Sequence, residues 1–169
     1  MEPVGGMNDT HLAQTIRIEA ATVDLADPIL AVIVAAFEQY RDHLDPPSGV
    51  FRESSDQIRH KLEAGGGFVA RAHDTMAGAV LYQPYPDYMY LGRLAVLPAY
   101  RGRQIARQLI AAVEQAARDR QLPCVQLGVR VQLTGNQRLF KSLGYVVTGA
   151  HAHEGYAEPT YLTMEKRLQ

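Results

Sequence analysis

The chain has 169 residues, 47% of them hydrophobic and 21% charged, with a formal net charge of −1 at pH 7. This is the size and composition of one domain with its own core, and the balanced charge argues against a nucleic-acid binder acting through a broad basic surface. A single cysteine, Cys124, excludes an intrachain disulfide and a multi-cysteine metal site.

Residues 1–14 are polar and glycine-containing and read as a disordered tail, which leaves 15–169 as the expected domain. They lack the charged-then-apolar pattern of a leader, and no stretch is long and apolar enough to span a bilayer. The expected location is the cytoplasm, with no membrane partner. Thr15 to Ala20 alternates apolar and polar residues, the pattern of a half-buried strand. Asp27, followed by Pro28, is read as the cap of a first helix whose inward face is Leu30, Ile33, Val34, Phe37 and Tyr40. Ser54 and Gln57 have the spacing of a capping box for a second helix carrying Ile58 and Leu62. The triplet Gly65-Gly66-Gly67 is read as a turn. Two strands follow, Gly67 to His73 and Met76 to Tyr82, joined at Asp74-Thr75.

Tyr82, Tyr85, Tyr88 and Tyr90 cluster before the next strand. Two readings stand for them, an acceptor pocket or ordinary aromatics at a sheet edge. Leu91, Leu94, Ala95, Val96 and Leu97 then form an apolar run that suits a buried strand, stopped by Pro98. Ile105, Leu109, Ala112, Val113, Ala116 and Ala117 recur at helical spacing. Cys124 to Val131 alternates again as a strand, with Cys124 expected to be buried and inert. Thr134 and Gln137 are read as the cap of a short helix carrying Leu139, Phe140 and Leu143 and ended by Gly144. Tyr145 to Ala150 and Thr160 to Lys166 read as closing strands.

Between the central strand and the long helix lies Arg101-Gly102-Arg103-Gln104-Ile105-Ala106. The first amide hydrogens of a helix have no intrahelical partner. Together with the positive end of the dipole they favour an anion. Arg101 and Arg103 add positive charge, and arginine grips a phosphate with two parallel bonds. The alternative is a pair of solvated arginines at an ordinary helix start.

The run L-A-V-x-P-x-Y-R-G-x-x-I-A from Leu94 to Ala106 resembles the acetyl-CoA signature of the GNAT N-acetyltransferases, whose core is Arg/Gln-x-x-Gly-x-Gly/Ala. Arg101 matches its first position and Ala106 its last, while Gln104 stands where the family usually has glycine. The segment from Asn136 to Tyr145 resembles the family's second signature, with Asn136 at the asparagine that faces coenzyme A and Phe140 at a position that is often tyrosine. The resemblance implies an α/β (α+β) fold, a mixed, mostly antiparallel sheet of about seven strands flanked by about four helices. It also implies acetyl transfer from acetyl-CoA to a primary amine, small-molecule or peptide, by direct attack in a ternary complex. A non-catalytic acyl-CoA sensor is the alternative.

By the same resemblance the cofactor is held by Leu94, Ala95, Val96, Arg101, Gly102, Arg103, Gln104, Ile105, Ala106, Arg107, Asn136 and Phe140. Tyr90 falls where many members carry a glutamate base. A phenol with a pKa near 10 is a weak base at neutral pH, so Tyr90 is either a poor base or the holder of a water. Phe140 cannot serve as an acid. His151, His153 and Glu154 leave three readings: an exposed loop, a base or acceptor contact, or part of a zinc site that would need a third ligand. No metal is expected. Tyr40, Arg41, Asp42 and Asp45 are acceptor contacts by analogy or a solvated helix end. Closing strands of this fold often pair, so a homodimer is a further expectation.

Overall fold

The computed structural model describes residues 15–169, so the tail read over residues 1–14 lies outside the described residues. Seven strands form one sheet: β1 (Ile16–Ala20), β2 (Gly66–Ala72), β3 (Thr75–Pro84), β4 (Met89–Val96), β5 (Cys124–Arg130), β6 (Val146–His151) and β7 (Tyr161–Arg167). Their order is β1-β2-β3-β4-β5-β7-β6, and every pair is antiparallel except β4 with β5. Four helices flank the sheet: α1 (Ala26–Phe37), α2 (Ser55–Ala64), α3 (Ile105–Asp119) and α4 (Thr134–Ser142). The expected mixed, mostly antiparallel α/β architecture is the one observed.

The centre of the sheet is buried on both faces, while the edge strand β6 is largely exposed. Ile29, Val32, Ile33 and Ala36 of α1 and Ile58 and Leu62 of α2 cover one face with Val69, Ala79 and Leu81. On the other face Ile105, Leu109, Ile110 and Val113 of α3 pack on Ala70, Val80, Met89 and Leu91. Fully burying such a side chain is worth about 1.5–3 kcal/mol, so the start of α3 is firmly seated. Gly78 of β3 lets it come close: a Cβ there would lie 2.8 Å from the Ala95 carbonyl oxygen and 3.2 Å from both Ile105 and Leu109 side chains.

Several local expectations need correction. Asp27 does not cap α1; a single 3-10 turn over Val23–Leu25 feeds the helix from Ala26, so Asp27 and Pro28 already lie in its first turn. The early start rotates the inward face to Ala26, Ile29, Val32, Ile33 and Ala36, and Leu30, Val34 and Phe37 are only partly buried. Ile110, omitted from the predicted stripe of α3, is buried, whereas Ala112 is only half-buried. Thr134 and Gln137 form no capping pair; the Gln137 amide donates to the carbonyls of Arg130 and Val131 and pins α4 to the end of β5. The glycine triplet is a close approach more than a turn. Gly66 and Gly67 belong to β2, and a Cβ on Gly65 would lie 2.0 Å from the Tyr82 carbonyl oxygen. The capping box of Ser54 and Gln57 forms as read, with both reciprocal bonds present.

Candidate active site

β4 and β5 run side by side but pair only at Met89 with Val125 and Tyr90 with Gln126. Beyond that point the two strands separate. From Leu91 to Val96 β4 is paired only with β3, and from Leu127 to Arg130 β5 is paired only with β7. Alternate main-chain groups of β4 therefore face the gap without a strand partner. The gap opens into a cleft of about 1070 Å³, lined by β4 from Tyr90 to Val96, by β5 from Leu127 to Arg130, by Asn136, Leu139 and Phe140 of α4, and by the loops that follow α1 and β6.

A bulge shapes the β4 wall. Arg93 sits in the left-handed region at φ 51°, and the register with β3 shifts there. The side-chain phase shifts with it: Met89 and Leu91 point into the core under α3, whereas Ala95, of the same parity, points into the core under α1. Arg93 donates from Nε to Glu53 at 2.7 Å, and Lys61 pairs with the same carboxylate, whose side chain is only 4% exposed.

The basic turn lies at one end of the cleft. Gly102 and Gln104 have φ of 77° and 66°, and Gln104 immediately precedes α3 without a side-chain cap. The first intrahelical bond runs from Gln108 to the Gln104 carbonyl, so the amide hydrogens of Ile105, Ala106 and Arg107 are the uncapped donors of the helix start. They border a hollow of about 240 Å³ formed with Val96, Tyr100, Arg101 and Leu139. The arginines divide their roles. Arg101 borders the hollow and the cleft, and its guanidinium donates to the Ala36 carbonyl at the end of α1, 3.1 Å away. Arg103 lies over the Tyr100 ring. Arg107 reaches Ser142 of α4 at 3.1 Å, so towards the hollow it offers its main chain.

Gln104 pays the cost of a left-handed conformation, about 1–2 kcal/mol for a residue with a Cβ. Gln104→Gly should recover it, less about 0.4–1 kcal/mol for the extra freedom of glycine in the unfolded chain. The expected result is a small rise in melting temperature with the helix start unchanged; a fall would show that the Gln104 side chain makes a contact of its own.

At the opposite end, Tyr82, Tyr85 and Tyr90 line the cleft, and Tyr88 stacks on Tyr85 with ring centroids 4.8 Å apart. Tyr90 is 41% exposed towards this space, and burial of its phenol against the wall, with Arg93 opposing, pushes its pKa above 10. Phe140 is buried, edge-on to Tyr145 at 5.5 Å. Of the loop residues named as acceptor contacts, Tyr40 lines the cleft. Arg41 pairs with Glu38 and lies over Phe51, Asp42 is exposed, and Asp45 accepts from the Tyr156 hydroxyl. That bond and one from Arg130 to the Pro46 carbonyl tie the loop after α1 to the far side of the mouth. His151 ends β6, stacked on Tyr161 and bonded to Thr163, whereas His153 lies beyond the strand and lines the cleft. Both rings meet that of Tyr161, His151 from the strand and His153 from the loop beyond it. No group of three metal-ligating side chains occurs among the described residues.

Arg93, Glu53, Arg130 and Tyr161 were not singled out from the sequence. A bulge leaves no mark in an apolar run, and Glu53 reads as one more acid before a helix. The alternation of β5 was visible, but not that Arg130 would end it inside the cleft.

Parted parallel strands with an uncapped helix start at one end are the arrangement that the resemblance to acyl-CoA-dependent transferases leads one to expect. The sequence matches the Acetyltransferase (GNAT) family over residues 35–145, and the chain belongs to that family, whose co-substrate is acetyl-CoA. No curated protein matches it. Among solved structures it is similar to the PaiA N-acetyltransferase of Thermoplasma acidophilum in complex with coenzyme A, at TM-score 0.77 and 16% identity over 91% of this chain and 99% of that one. It is also similar to a GNAT acetyltransferase of Elizabethkingia anophelis with acetyl-CoA bound, at TM-score 0.67 and 17% identity, covering 90% and 98%. The ribosomal-protein-S18-alanine N-acetyltransferase of Escherichia coli gives TM-score 0.72 and 17% identity, covering 90% and 94%. At these identities the likeness is one of fold. Among the described residues no helix is long and apolar enough to cross a membrane.

Proposed function

We propose that residues 15–169 form one N-acetyltransferase unit that moves acetyl from acetyl-CoA to a primary amine by direct attack in a ternary complex. The observation that carries this reading is the continuous path from the uncapped start of α3, along the unpaired edge of β4, to the tyrosine-lined end of the cleft. The diphosphate sits on the amides of Ile105 to Arg107 beside Arg101, Gly102, Arg103 and Gln104. The pantetheine arm pairs with the main chain of Leu94, Ala95 and Val96, as an added strand would. Asn136 and Phe140 form the opposite wall, and an amide hydrogen of β4 stabilises the thioester oxyanion.

No acyl-enzyme is needed. Cys124 is not in the cleft; it is buried, its thiol pKa raised chiefly by desolvation. Tyr90, still a neutral phenol at pH 7, orients the acceptor or a water and does not take its proton. A thiolate with a pKa near 8.5 leaves readily, so Phe140 in place of an acid does not block turnover.

The test has two arms. Acetyl-CoA at a hundredfold excess over its dissociation constant should stabilise the protein by about 2.7 kcal/mol, and a varied panel of amines and peptides should contain one that gives saturable release of coenzyme A thiol. No stabilisation overturns the reading. Stabilisation without release across the panel would identify the acyl-CoA sensor instead.

A further inference from the structure

The proposed transfer leaves one step without a residue. At pH 7 a primary amine is an ammonium and must lose a proton before it attacks. No acidic side chain occurs between Tyr88 and Tyr100, Tyr90 is held protonated, and Phe140 has no proton to exchange. The loop between β6 and β7 lies outside the family match, which ends at Tyr145, and it contributes two groups able to take a proton to the cleft, His153 and Glu154; of these the ring of His153 is the one held in place by neighbours.

The ring of His153 is fixed on two sides. Tyr161 meets it edge-on, with centroids 5.1 Å apart and planes at 63°. Its Nδ1 is bonded to Thr160 Oγ1, which also accepts the main-chain N–H of His153 at 2.9 Å and reaches the His151 carbonyl at 3.4 Å. A hydroxyl has one proton and two lone pairs. Two arrangements satisfy this hydroxyl: it donates to the His151 carbonyl and accepts from Nδ1–H, or it donates to Nδ1. The first leaves Nε2 as the basic nitrogen, and it is the tautomer on which the proposal below stands. Among the described residues Nε2 has no hydrogen-bond partner.

We propose that His153 Nε2 is the base that takes the proton from the acceptor ammonium. This rests on the acetyl-transfer reading. The ammonium N–H bond breaks, its proton goes to Nε2, and the freed lone pair forms the C–N bond to the thioester carbonyl. The C–S bond then breaks with its electron pair on sulfur. The second proton lost by nitrogen neutralises the thiolate, and imidazolium returns its proton to solvent.

The charge around the ring keeps it ready for this role. Desolvation and then Arg130 of β5 hold the His153 pKa below 6.5. The other titratable groups of this corner are His151 of β6, Tyr161 of β7, Tyr90 of β4, which neighbours Tyr161, Glu154 and Tyr156 of the same loop, and Asp45, which is engaged by Tyr156.

The experiment compares wild type with His153→Gln using two nucleophiles, 2-phenylethylamine, an ammonium at neutral pH, and hydroxylamine, which is already neutral there. Thiol release with 2-phenylethylamine should fall by about a hundredfold or more in the variant, while release with hydroxylamine and the acetyl-CoA thermal shift stay near wild type. The wild-type rate should lose its base on acidification through a limb below pH 6.5, and that limb should be absent from the variant. An equal loss with both nucleophiles, or no loss, overturns the proposal, as does removal of the limb by Glu154→Gln. Nitrogen-15 spectra of the histidines need no acceptor: a neutral ring with the proton on Nδ1 at pH 7 is expected, and a proton on Nε2 overturns the assignment. Failure of the thermal shift in wild type would instead count against the transfer reading itself.

Discussion

Glu53→Ala is expected to destabilise the fold by about 2–4 kcal/mol and to depress coenzyme A release with it. The Glu53 side chain is 4% exposed and holds two cations, Arg93 at 2.7 Å and Lys61. Removing one partner of a buried ion pair costs about 3–5 kcal/mol, because the charge left behind is unpaired. Here Arg93 is 31% and Lys61 44% exposed, so water recovers part of that cost. A second effect is conformational and acts on the cleft. The left-handed backbone of Arg93 costs about 1–2 kcal/mol, a strain whose release offsets part of the lost stability, and Glu53 is bonded to the side chain of that residue. Without that bond β4 is free to lose its bulge, and the main chain facing the gap shifts with it. Arg93→Ala should be milder in denaturant titration, because Glu53 keeps Lys61. Equal stability of Glu53→Ala and wild type would mean that another contact holds the bulge.

That interaction marks the limit of what the sequence discloses. Element type and order followed from periodicity, because α3 buries one stripe and β5 alternates, and neither depends on a distant partner. The helix start after Arg101 was readable because the residues that make it are consecutive. The first turn of α1 was misplaced because Asp27-Pro28 is a good local start, yet the preceding 3-10 turn lets the helix begin earlier. Cleft residues that depend on long-range approach stayed hidden. Glu53 and Arg93 meet across 40 positions, and Arg130 meets Pro46 across 84. The bonds between His153 and Thr160, seven positions apart across the loop, left no mark in the sequence either.

Arg101→Glu should weaken acetyl-CoA binding by at least tenfold, with the loss greatest at low salt. Arg101 acts in two ways at the start of the cleft. Its guanidinium satisfies the Ala36 carbonyl at the end of α1, where a cation also meets the negative end of the helix dipole. It also borders the hollow beneath the uncapped amides of α3. A charge-assisted bond contributes about 1.5–3 kcal/mol, and reversal of charge adds repulsion of the diphosphate, screened over about 10 Å at 0.1 M salt. Arg101→Gln separates the two roles, since its amide can still donate to Ala36 but carries no charge. It should keep the wild-type melting temperature in the absence of ligand and lose part of the affinity. If Arg101→Glu is less stable but binds acetyl-CoA as wild type does, Arg101 is only a tether between α1 and the loop. If both variants bind unchanged at low salt, the phosphates do not sit at the start of α3.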